Sequence, residues 1–415
     1  MLDIKFIREN AEKVQTSAEA KGYQVNLTKL LELDENRREL QREVDAIRER
    51  RNAIAAKMKG GKPEQNLIDE GKQIKIELAE REQYLTNAES ELNELIDKVP
   101  NIIFDDVPLG GEEDSVEIKA WGEKREGANI DHLDFAEQKG WVDFERGAKV
   151  AGAKFYFLKN GAVQLEQAVI NYAIDKLIDK NFNLMTVPNM VSTRIAAGAG
   201  FAPKSDKESN EYFIENEDLM MIGTAEAPLT GYHADEILSE KDLPLLYAGL
   251  SPCYRKEAGT YGKHTRGLFR VHQFNKLEMY AFCLPEQSRD IHEKILSIEE
   301  EIWQDLGVPY RVINIAAGDL GAPAAKKFDI EYWSPIDGSY RELTSCSNCT
   351  DFQAGSLNIR VRRANGNIET VHTLNGTAVS LARTLVALIE NYGQTDGSFT
   401  VPEKLRPYLG NRQTL

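Results

Sequence analysis

The chain has little of what defines secreted, disulfide-stabilised or membrane proteins. Four cysteines in 415 residues are too few for a disulfide framework, and a chain of this length can bury a core without one. No window approaches the roughly 18–20 apolar residues that a membrane helix needs. The N-terminal stretch MLDIKFIRENAEKV carries charges where a signal peptide is apolar. We therefore expect a cytoplasmic protein with no membrane partner.

The sequence also has fewer basic than acidic residues. The sequence holds 51 Lys and Arg against 67 Asp and Glu, a net charge of -16. Because Lys and Arg drive binding to nucleic-acid phosphates, this balance argues against general affinity for nucleic acids and against a DNA partner. Any contact with a nucleic acid must come from a local basic patch. The length predicts two folding units.

Apolar residues repeat every three and four positions in the first hundred residues. One series runs from Leu30 to Met58, and a second runs from Leu67 to Val99 after a Gly-Gly-Lys-Pro break at 60–63. Two heptad helices joined by such a turn can bury their seams on each other. The pattern predicts an antiparallel coiled-coil hairpin over about 28–98, some 45 Å long at ~1.5 Å per residue, projecting as an arm.

The predicted tip of this arm is basic. Residues 48–62 contain six basic residues against the single acidic Glu49. The basic residues are Arg48, Arg50, Arg51, Lys57, Lys59 and Lys62. One interpretation is a solvated coiled-coil face, and the other is an arm that binds a nucleic-acid backbone.

From about residue 100 the pattern changes to short apolar runs and turn residues, so we place a domain boundary there, with domains 1–100 and 101–415. Strands are predicted at 212–214, 246–251, 267–283, 310–315, 328–333 and 339–345, besides a short strand at 182–188. Helices are predicted at 161–180, 286–306 and 377–392. Blocks of strands and helices without strict alternation favour an α+β body, an antiparallel sheet flanked by helices.

Three polar segments of this body are candidates for chemistry. Segment 251–280 places Arg255 and other basic residues around glycines in a predicted hairpin, an arrangement that can hold polyphosphate, although basic hairpins are more often plain surface. Glu342 and Ser345 offer hard oxygen ligands suited to Mg²⁺. Arg383, after Leu374-Asn375-Gly376-Thr377, is either a surface charge or a phosphate clamp.

The pair Cys346 and Cys349 has the spacing of a metal site. A zinc site needs four ligands, and the sequence shows neither a second cysteine pair nor a nearby histidine to complete it. Small buried thiols are the favoured interpretation.

Together these segments resemble a seryl-tRNA synthetase of the bacterial type, a class II aminoacyl-tRNA synthetase, over essentially the full chain. Residues 161–188, ending in Pro188, match the first class-defining motif, which implies a homodimer interface. The stretch FRVHQFNKLE, preceded by YRKEAGTYGKHTRG, is similar to the second motif, and LNGTAVSLARTLVALIENYG to the third. Thr224-Ala225-Glu226 matches the serine-binding triplet of the family. The resemblance implies a serine–tRNA ligase.

The resemblance also implies roles for individual residues. Arg255, Glu278 and Arg383 would be catalytic, with Arg255 bridging the serine carboxylate and the α-phosphate and Arg383 holding the γ-phosphate. The residues implied for ATP binding are Arg255, Lys256, Glu257, Val271, His272, Gln273, Phe274, Glu342, Leu343, Thr344, Ser345 and Arg383. Phe274 would stack on adenine, and Glu342 and Ser345 would bind Mg²⁺.

The residues implied for serine binding are Thr224, Ala225, Glu226, Arg255, Glu278, Asn375 and Thr377. Thr224 and Glu226 would line the side of the amino group, while Glu278 and Thr377 would meet the hydroxyl. Alanine, which lacks that hydroxyl, would leave these buried groups unpaired, so no editing domain is required. Threonine would have to be refused by steric limits.

The reaction implied has two steps: formation of seryl-adenylate from serine and ATP, then transfer to the 3′ end of tRNA(Ser). The family commonly serves tRNA(Sec) as well. In this family the N-terminal arm binds the tRNA backbone, and we expect the arm of one subunit of the homodimer to serve the other subunit's site.

The chain departs from the family pattern at two places. After Phe352-Gln353 the family usually has Ala-Arg-Arg, whereas this chain has Ala354-Gly355-Ser356, so one or two basic contacts are missing or moved to Arg360, Arg362 and Arg363. In the loop of the second motif, Lys263-His264 replaces the more frequent Arg-Asp. Two other functions compete: an enzyme that passes a small amino acid to a carrier protein, which would lack the arm, and a non-catalytic paralogue, which would have lost Arg255, Glu278, Glu342 or Arg383.

Overall fold

The chain divides into two units, Leu2–Ile102 and Ile103–Leu415, with Met1 belonging to the second. The structure, a computed structural model, describes residues 1–58, 64–125, 130–201, 210–257 and 267–415. Within those ranges, no helix combines the length and the apolar character that crossing a membrane requires.

The first unit is helical. Its helices are α1 (Ile4–Glu9), α2 (Ala11–Ala20), α3 (Leu27–Lys57) and α4 (Gln65–Ile96). Helix α3 begins after Asn26, whose side chain accepts a hydrogen bond from the Lys29 amide at 3.0 Å and so caps an unpaired donor of the first turn. The heptad positions pack on each other as predicted, with a common core formed by Val44, Ile47, Ile54, Ile74, Leu78 and Leu85.

Helices α3 and α4 run antiparallel, which ion pairs between them make plain. Arg48 lies 2.8 Å from Glu82, and Arg50 lies 3.3 Å from Glu77, so residues later in α3 face residues earlier in α4. The expected hairpin is therefore present. Its basic character is weaker than the count over 48–62 implied, because α4 supplies the carboxylates opposite Arg48 and Arg50.

The second unit combines helices and strands. Its helices are α5 (His132–Lys139), α6 (Phe144–Ala151), α7 (Gly161–Asp179), α8 (Thr193–Gly198), α9 (Glu226–Gly231), α10 (Ser288–Asp305), α11 (Phe352–Ser356) and α12 (Leu381–Tyr392). Its strands are β1 (Val116–Trp121), β2 (Val142–Asp143), β3 (Phe157–Leu158), β4 (Asn183–Thr186), β5 (Met190–Ser192), β6 (Leu219–Met221), β7 (Ile237–Ser239), β8 (Leu245–Tyr254), β9 (Gln273–Cys283), β10 (Tyr310–Asn314), β11 (Lys326–Ser334), β12 (Ser339–Thr350), β13 (Arg360–Arg362), β14 (Ile368–Thr370) and β15 (His372–Ser380).

Eight of these strands form one sheet in the order β1-β10-β11-β12-β15-β9-β8-β4. Every neighbouring pair in it is antiparallel except β4 and β8, which are parallel. This confirms the predicted α+β class with an antiparallel sheet.

The two faces of the central strands have different surroundings. Successive side chains of a strand point to opposite faces. On one face of β9, Leu277, Met279 and Ala281 pack into the large apolar core, which also includes residues of α7, α10 and α12. The alternate residues of β9, Lys276, Glu278 and Tyr280, lie on the other face. That face carries the candidate site.

Several of the predicted element boundaries are wrong. Strand β12, predicted to end at 345, continues to Thr350. Residues 377–380 belong to β15, and the helix begins only at Leu381, because pairing with β9 continues past a bulge between Thr377 and Val379 up to Ser380. Strand β9 begins at Gln273, since Gly267–Phe269 form a 3₁₀ turn. In 212–214 only an isolated bridge forms, between Phe213 and Met220.

Candidate active site

A polar cleft of about 260 Å³ opens on the face of the central strands that lies opposite the large apolar core. Its lining brings together most of the residues that the sequence assigned to ATP. They are Arg255, Glu257, Val271, Phe274, Glu342, Leu343, Thr344, Ser345 and Arg383, joined by Thr377 of the serine set and by Phe269, Arg270, Lys276, Lys327, Ser380 and Ala382. Residues far apart in sequence, on β9, β11, β12, β15, α12 and the segment that follows β8, therefore share one cavity.

A bulge in β12 sets the direction of the candidate metal ligands. Residues three apart on a regular strand point to opposite faces. In β12, however, Thr344 pairs with Ile330 and Glu342 pairs with Glu331, so Leu343 is an extra residue in the ladder. The bulge turns Glu342 and Ser345 to the same cleft, where both line the cavity.

Glu342 and Arg383 form an ion pair in this cleft. The Arg383 guanidinium lies 2.9 Å from the Glu342 carboxylate, and the Glu342 side chain keeps 42% of its accessible surface. Burial alone would raise the pKa of the Glu342 carboxyl, but Arg383 and then Lys327 lower that pKa to about 2. Glu342 is therefore ionised at neutral pH, which is the state that metal coordination needs.

Two arginines are held in place by aromatic rings. The guanidinium carbon of Arg255 lies 5.3 Å from the centre of the Phe274 ring, and that of Arg383 lies 5.0 Å from the Phe269 ring. Arg255 also donates a hydrogen bond from Nε to the Gly223 carbonyl at 3.2 Å. Such contacts reduce the mobility of the planar donor groups that face the cavity.

A second cluster of polar side chains lies on β9 and β15 beside the cleft. Glu278 is fully buried and lies opposite Thr377 in the ladder. Its carboxylate accepts from Thr377 Oγ1 at 3.4 Å and from Asn375 Nδ2 at 3.1 Å. Lys276 Nζ lies 2.5 Å from the same carboxylate and 3.1 Å from Thr224 Oγ1, which joins the triplet at 224–226 to this group.

Glu226 is a second buried acid of this region. It opens helix α9, and its amide donates to Thr224 Oγ1 at 3.2 Å, while Ala225 beside it is fully buried. Burial, and then repulsion from Glu278, raise the pKa of the Glu226 carboxyl to about 7. Lys276 and Arg255 act in the opposite direction. A buried carboxyl whose pKa lies near neutral pH is typical of a functional site.

Three residues predicted to bind ATP lie outside the cleft lining. The Lys256 ammonium sits over the rings of Tyr212 and Phe213, at 5.9 and 5.7 Å. His272 is tied to the Arg255 backbone, with its Nδ1 2.9 Å from the Arg255 carbonyl, and Gln273 is exposed. Glu257 does line the cleft and pairs with Arg270 at 3.2 Å.

Several other residues singled out in the sequence lie outside the described ranges or have different surroundings from those expected. Lys59, Lys62, Lys263 and His264 fall in the ranges that the structure does not describe, while Arg51 and Lys57 are exposed on α3. Cys346 and Cys349 are buried within β12, where Cys346 faces the main core.

Of the three arginines proposed to compensate for Ala354-Gly355, Arg363 is already engaged. It forms ion pairs with Glu240, Glu286 and Glu369. An arginine held by three carboxylates has little positive charge to offer a tRNA phosphate.

Sequence reasoning missed some residues of the site. Lys276 falls within the basic segment 251–280, yet it pairs with Glu278 among the residues proposed for serine. The alternation of the polar residues Lys276, Glu278 and Tyr280 along β9 could have indicated that they share one face of the strand. Phe269 and Lys327 were not predicted, since their place in the cleft depends on contacts between distant elements.

An antiparallel sheet that presents two arginines and an ionised carboxylate in one cleft, next to a pocket of buried acids, fits amino-acid activation by a nucleotide. The model of the tRNA synthetase class II core domain (G, H, P, S and T) matches residues 210–392. The fold and the site thus define a class II aminoacyl-tRNA synthetase, a ligase that forms aminoacyl-tRNA.

The comparisons identify the family within this class. The model of the seryl-tRNA synthetase N-terminal domain matches residues 1–103. The serine–tRNA ligase of Dictyoglomus turgidum is 47% identical over 420 residues, covering 99% of this chain and 98% of that protein. The chain belongs to the seryl-tRNA synthetase family, as the sequence predicted.

Solved structures agree with this assignment. The seryl-tRNA synthetase from Pyrococcus horikoshii, complexed with ATP, superposes with a TM-score of 0.91 at 41% identity, covering 100% of this chain and 99% of that one. The cytoplasmic serine–tRNA ligase from Naegleria fowleri, in complex with AMP, gives 0.87 at 31% identity, covering 100% and 98%. The match over 1–103 counts against the carrier-protein alternative, whose members would lack this unit.

Proposed function

We propose that the cleft activates L-serine with ATP and that the seryl group then passes to tRNA(Ser). The observation that carries this proposal is the convergence of Arg255, Arg383 and Glu342 on one cavity beside the buried Glu226 and Glu278. The relative from Pyrococcus horikoshii was solved with ATP, which supports the binding of ATP by this chain.

On the nucleotide side, Arg383 would hold the γ-phosphate and Arg255 the α-phosphate. Phe274 is 8% exposed and partly covered by Arg255, so stacking of adenine on it requires the guanidinium to turn toward the phosphates. Phosphates entering the cleft would likewise compete with Glu342 for Arg383, which opens the ion pair that the structure shows.

Glu342 and Ser345 would hold a Mg²⁺ ion in this cleft. An ionised carboxylate and a hydroxyl are hard oxygen donors, and the bulge at Leu343 turns both to the same cavity, so the residues fit such an ion. When bound, Mg²⁺ neutralises charge on the phosphates of the nucleotide. Lys327, which also lines the cleft, adds a fixed positive charge.

On the serine side, Thr224 and Glu226 would bind the amino group, with Ala225 between them, and Glu278, Asn375 and Thr377 would bind the hydroxyl end. The buried Glu278 carboxylate already accepts from Asn375 and Thr377. A substrate without a hydroxyl would offer these three polar side chains no hydrogen-bond partner. Sites of this kind reject such analogues strongly, which supports serine over alanine.

In the first step the serine carboxylate oxygen attacks the α-phosphorus of ATP, the bond to the β-phosphate oxygen breaks, and pyrophosphate leaves. In the second step a terminal ribose hydroxyl of tRNA attacks the activated carbonyl, loses its proton, and AMP leaves. The protein contributes position and positive charge, which is what arginines in a preformed cleft provide.

The helical unit is the proposed tRNA-binding arm, with residues 101–415 as the catalytic domain. Arg48, Arg50, Arg51 and Lys57 are exposed on α3. The ion pairs of Arg48 and Arg50 with α4 are solvent-exposed, so they are worth ~1 kcal/mol or less and can give way to phosphates. We further propose a cytoplasmic homodimer in which each arm serves the partner's site, with tRNA(Sec) as a second substrate.

The test is amino-acid-dependent exchange of pyrophosphate into ATP. Serine should support exchange, while alanine and glycine should fall below it by about 10³-fold or more. Removal of Mg²⁺ with a chelator should stop the reaction, and added Mg²⁺ should restore it. Exchange driven equally by alanine would contradict the role given to Glu278 and Thr377.

A further inference from the structure

A glutamine sits behind the proposed serine pocket with every polar atom engaged. Gln353 on α11 is fully buried. Its Nε2 donates to the Ala199 carbonyl at 3.0 Å and to Glu226 Oε1 at 2.7 Å. Its Oε1 accepts from the hydroxyls of Tyr280 at 2.9 Å and Thr373 at 2.7 Å. A side-chain amide has two donor hydrogens and an acceptor oxygen with two lone pairs, so its capacity is filled.

These partners allow a single orientation of the amide. Turned by 180°, the Gln353 oxygen would face the Ala199 carbonyl, which cannot donate, and the Glu226 carboxylate. Burial raises the pKa of the Tyr280 hydroxyl well above its usual range, so Tyr280 remains a donor. The Ala199 carbonyl and the two hydroxyls thus fix the amide, and the amide in turn fixes the carboxylate of Glu226.

The strands and helices that meet here explain the arrangement. Tyr280 on β9 and Thr373 on β15 lie on the sheet face that carries Glu278, and α11 follows directly on β12. Gln353 therefore links the sheet to helix α9, which begins at Glu226. Nothing in the proposed reaction uses Gln353 itself, and its atoms are already occupied by protein partners.

We propose that Gln353 is the positioning residue of the serine pocket: its amide holds the Glu226 carboxylate in place for the amino group of the substrate. This inference rests on the role proposed above for Glu226. Gln353 acts through Glu226 and does not touch the substrate. Its loss should therefore weaken the binding of serine while leaving the nucleotide side of the cleft unchanged.

Protonation gives an independent way to observe this role. The charged groups that face Glu226 are Glu278 and Lys276 on β9 and Arg255 directly after β8, and the neutral donor is Gln353 on α11. Burial and Glu278 raise the pKa of Glu226, whereas Lys276, Gln353 and Arg255 lower it. Without the amide donor, Glu226 should take up a proton at higher pH and so lose its charge for the ammonium group of serine.

The test replaces the amide by an apolar group of similar length, Gln353→Met. In serine-dependent pyrophosphate exchange, KM for serine should rise about tenfold or more, while KM for ATP should stay within about twofold. The acidic limb of the pH profile of kcat/KM for serine should move up by about one pH unit. If Gln353→Met does not fold, Gln353→Asn serves instead, because its amide is one methylene too short for Glu226.

Asn348→Leu is the matched control. Asn348 on β12 is also a fully buried amide, and it donates to the Ser288 carbonyl at 3.1 Å and accepts from the Thr350 amide at 3.0 Å. We expect this variant to change KM for serine by less than about threefold and to leave the pH profile in place. An equal effect of Asn348→Leu and Gln353→Met on both quantities would show a general packing role and overturn the inference.

Glu226→Gln separates this inference from the function on which it rests. If Glu226→Gln raises KM for serine but Gln353→Met changes only thermal stability or kcat, the inference about Gln353 is wrong and the pocket assignment stands. If Glu226→Gln leaves KM for serine unchanged, the role proposed for Glu226 is itself wrong, and the inference falls with it.

Discussion

Replacement of Arg383 by alanine tests the phosphate clamp and separates chemistry from stability. In the structure the guanidinium of Arg383 pairs with Glu342 at 2.9 Å and lies over the Phe269 ring. Loss of one fixed donor that stabilises charge in a transition state costs about 10²–10³ in rate. We therefore expect Arg383→Ala to reduce serine-dependent pyrophosphate exchange by at least this factor.

The effect on stability should be much smaller. The Glu342 side chain retains 42% of its surface, so the loss of its partner should cost ~1–2 kcal/mol, between the values for exposed and buried pairs. Tm should fall by roughly 2–5 °C. Because folded domains have about 5–15 kcal/mol of stability, a loss of this size cannot by itself abolish activity at 25 °C.

Arg311→Ala is a matched control on the same sheet. Arg311 pairs with Glu331 at 2.6 Å and lies 4.4 Å from the centre of the Tyr340 ring, but it is not part of the cleft lining. The control should lose a similar amount in Tm and keep its exchange rate. Retention of more than about a third of the activity by Arg383→Ala would refute the clamp.

Three further predictions address the arm, the specificity and the pH dependence. Deletion of residues 30–98 should leave exchange nearly intact and suppress tRNA charging; equal loss of both would mean that the arm is structural. Thr377→Val should raise KM for serine about tenfold and lower the preference for serine over alanine in exchange assays, and an unchanged preference would remove Thr377 from the pocket. Because the pKa of Glu226 is raised to about 7, kcat/KM for serine should fall by up to about tenfold per unit below pH 7, and a flat profile down to pH 5 would contradict that role.

Much of the fold was predictable because its signals are local. The heptads of α3 and α4 and the periodicity of α7 and α10 arise from each helix burying one stripe, so the sequence alone predicts them. The boundary at Leu381 was not predictable in this way. Residues 377–380 lie next to a strongly apolar helix, and only pairing with β9 keeps them extended.

The site was predictable in its residue types and less so in its contacts. Motif resemblance brought Arg255, Glu342 and Arg383 together, and the structure places them in one cleft. The bulge at Leu343, which lets Glu342 and Ser345 share a face, depends on the register between β11 and β12 and has no local signature. The role proposed for Gln353 could not be predicted from the sequence, because it depends on four partners that are distant along the chain.

The central claim is tested most directly by charging an unfractionated tRNA pool with labelled serine, threonine, alanine and glycine in the presence of ATP and Mg²⁺. Serine alone should enter the tRNA fraction. Transfer of another of these amino acids would mean that Glu278 and Thr377 have been wrongly assigned, and no transfer of any would contradict the assignment of a tRNA ligase.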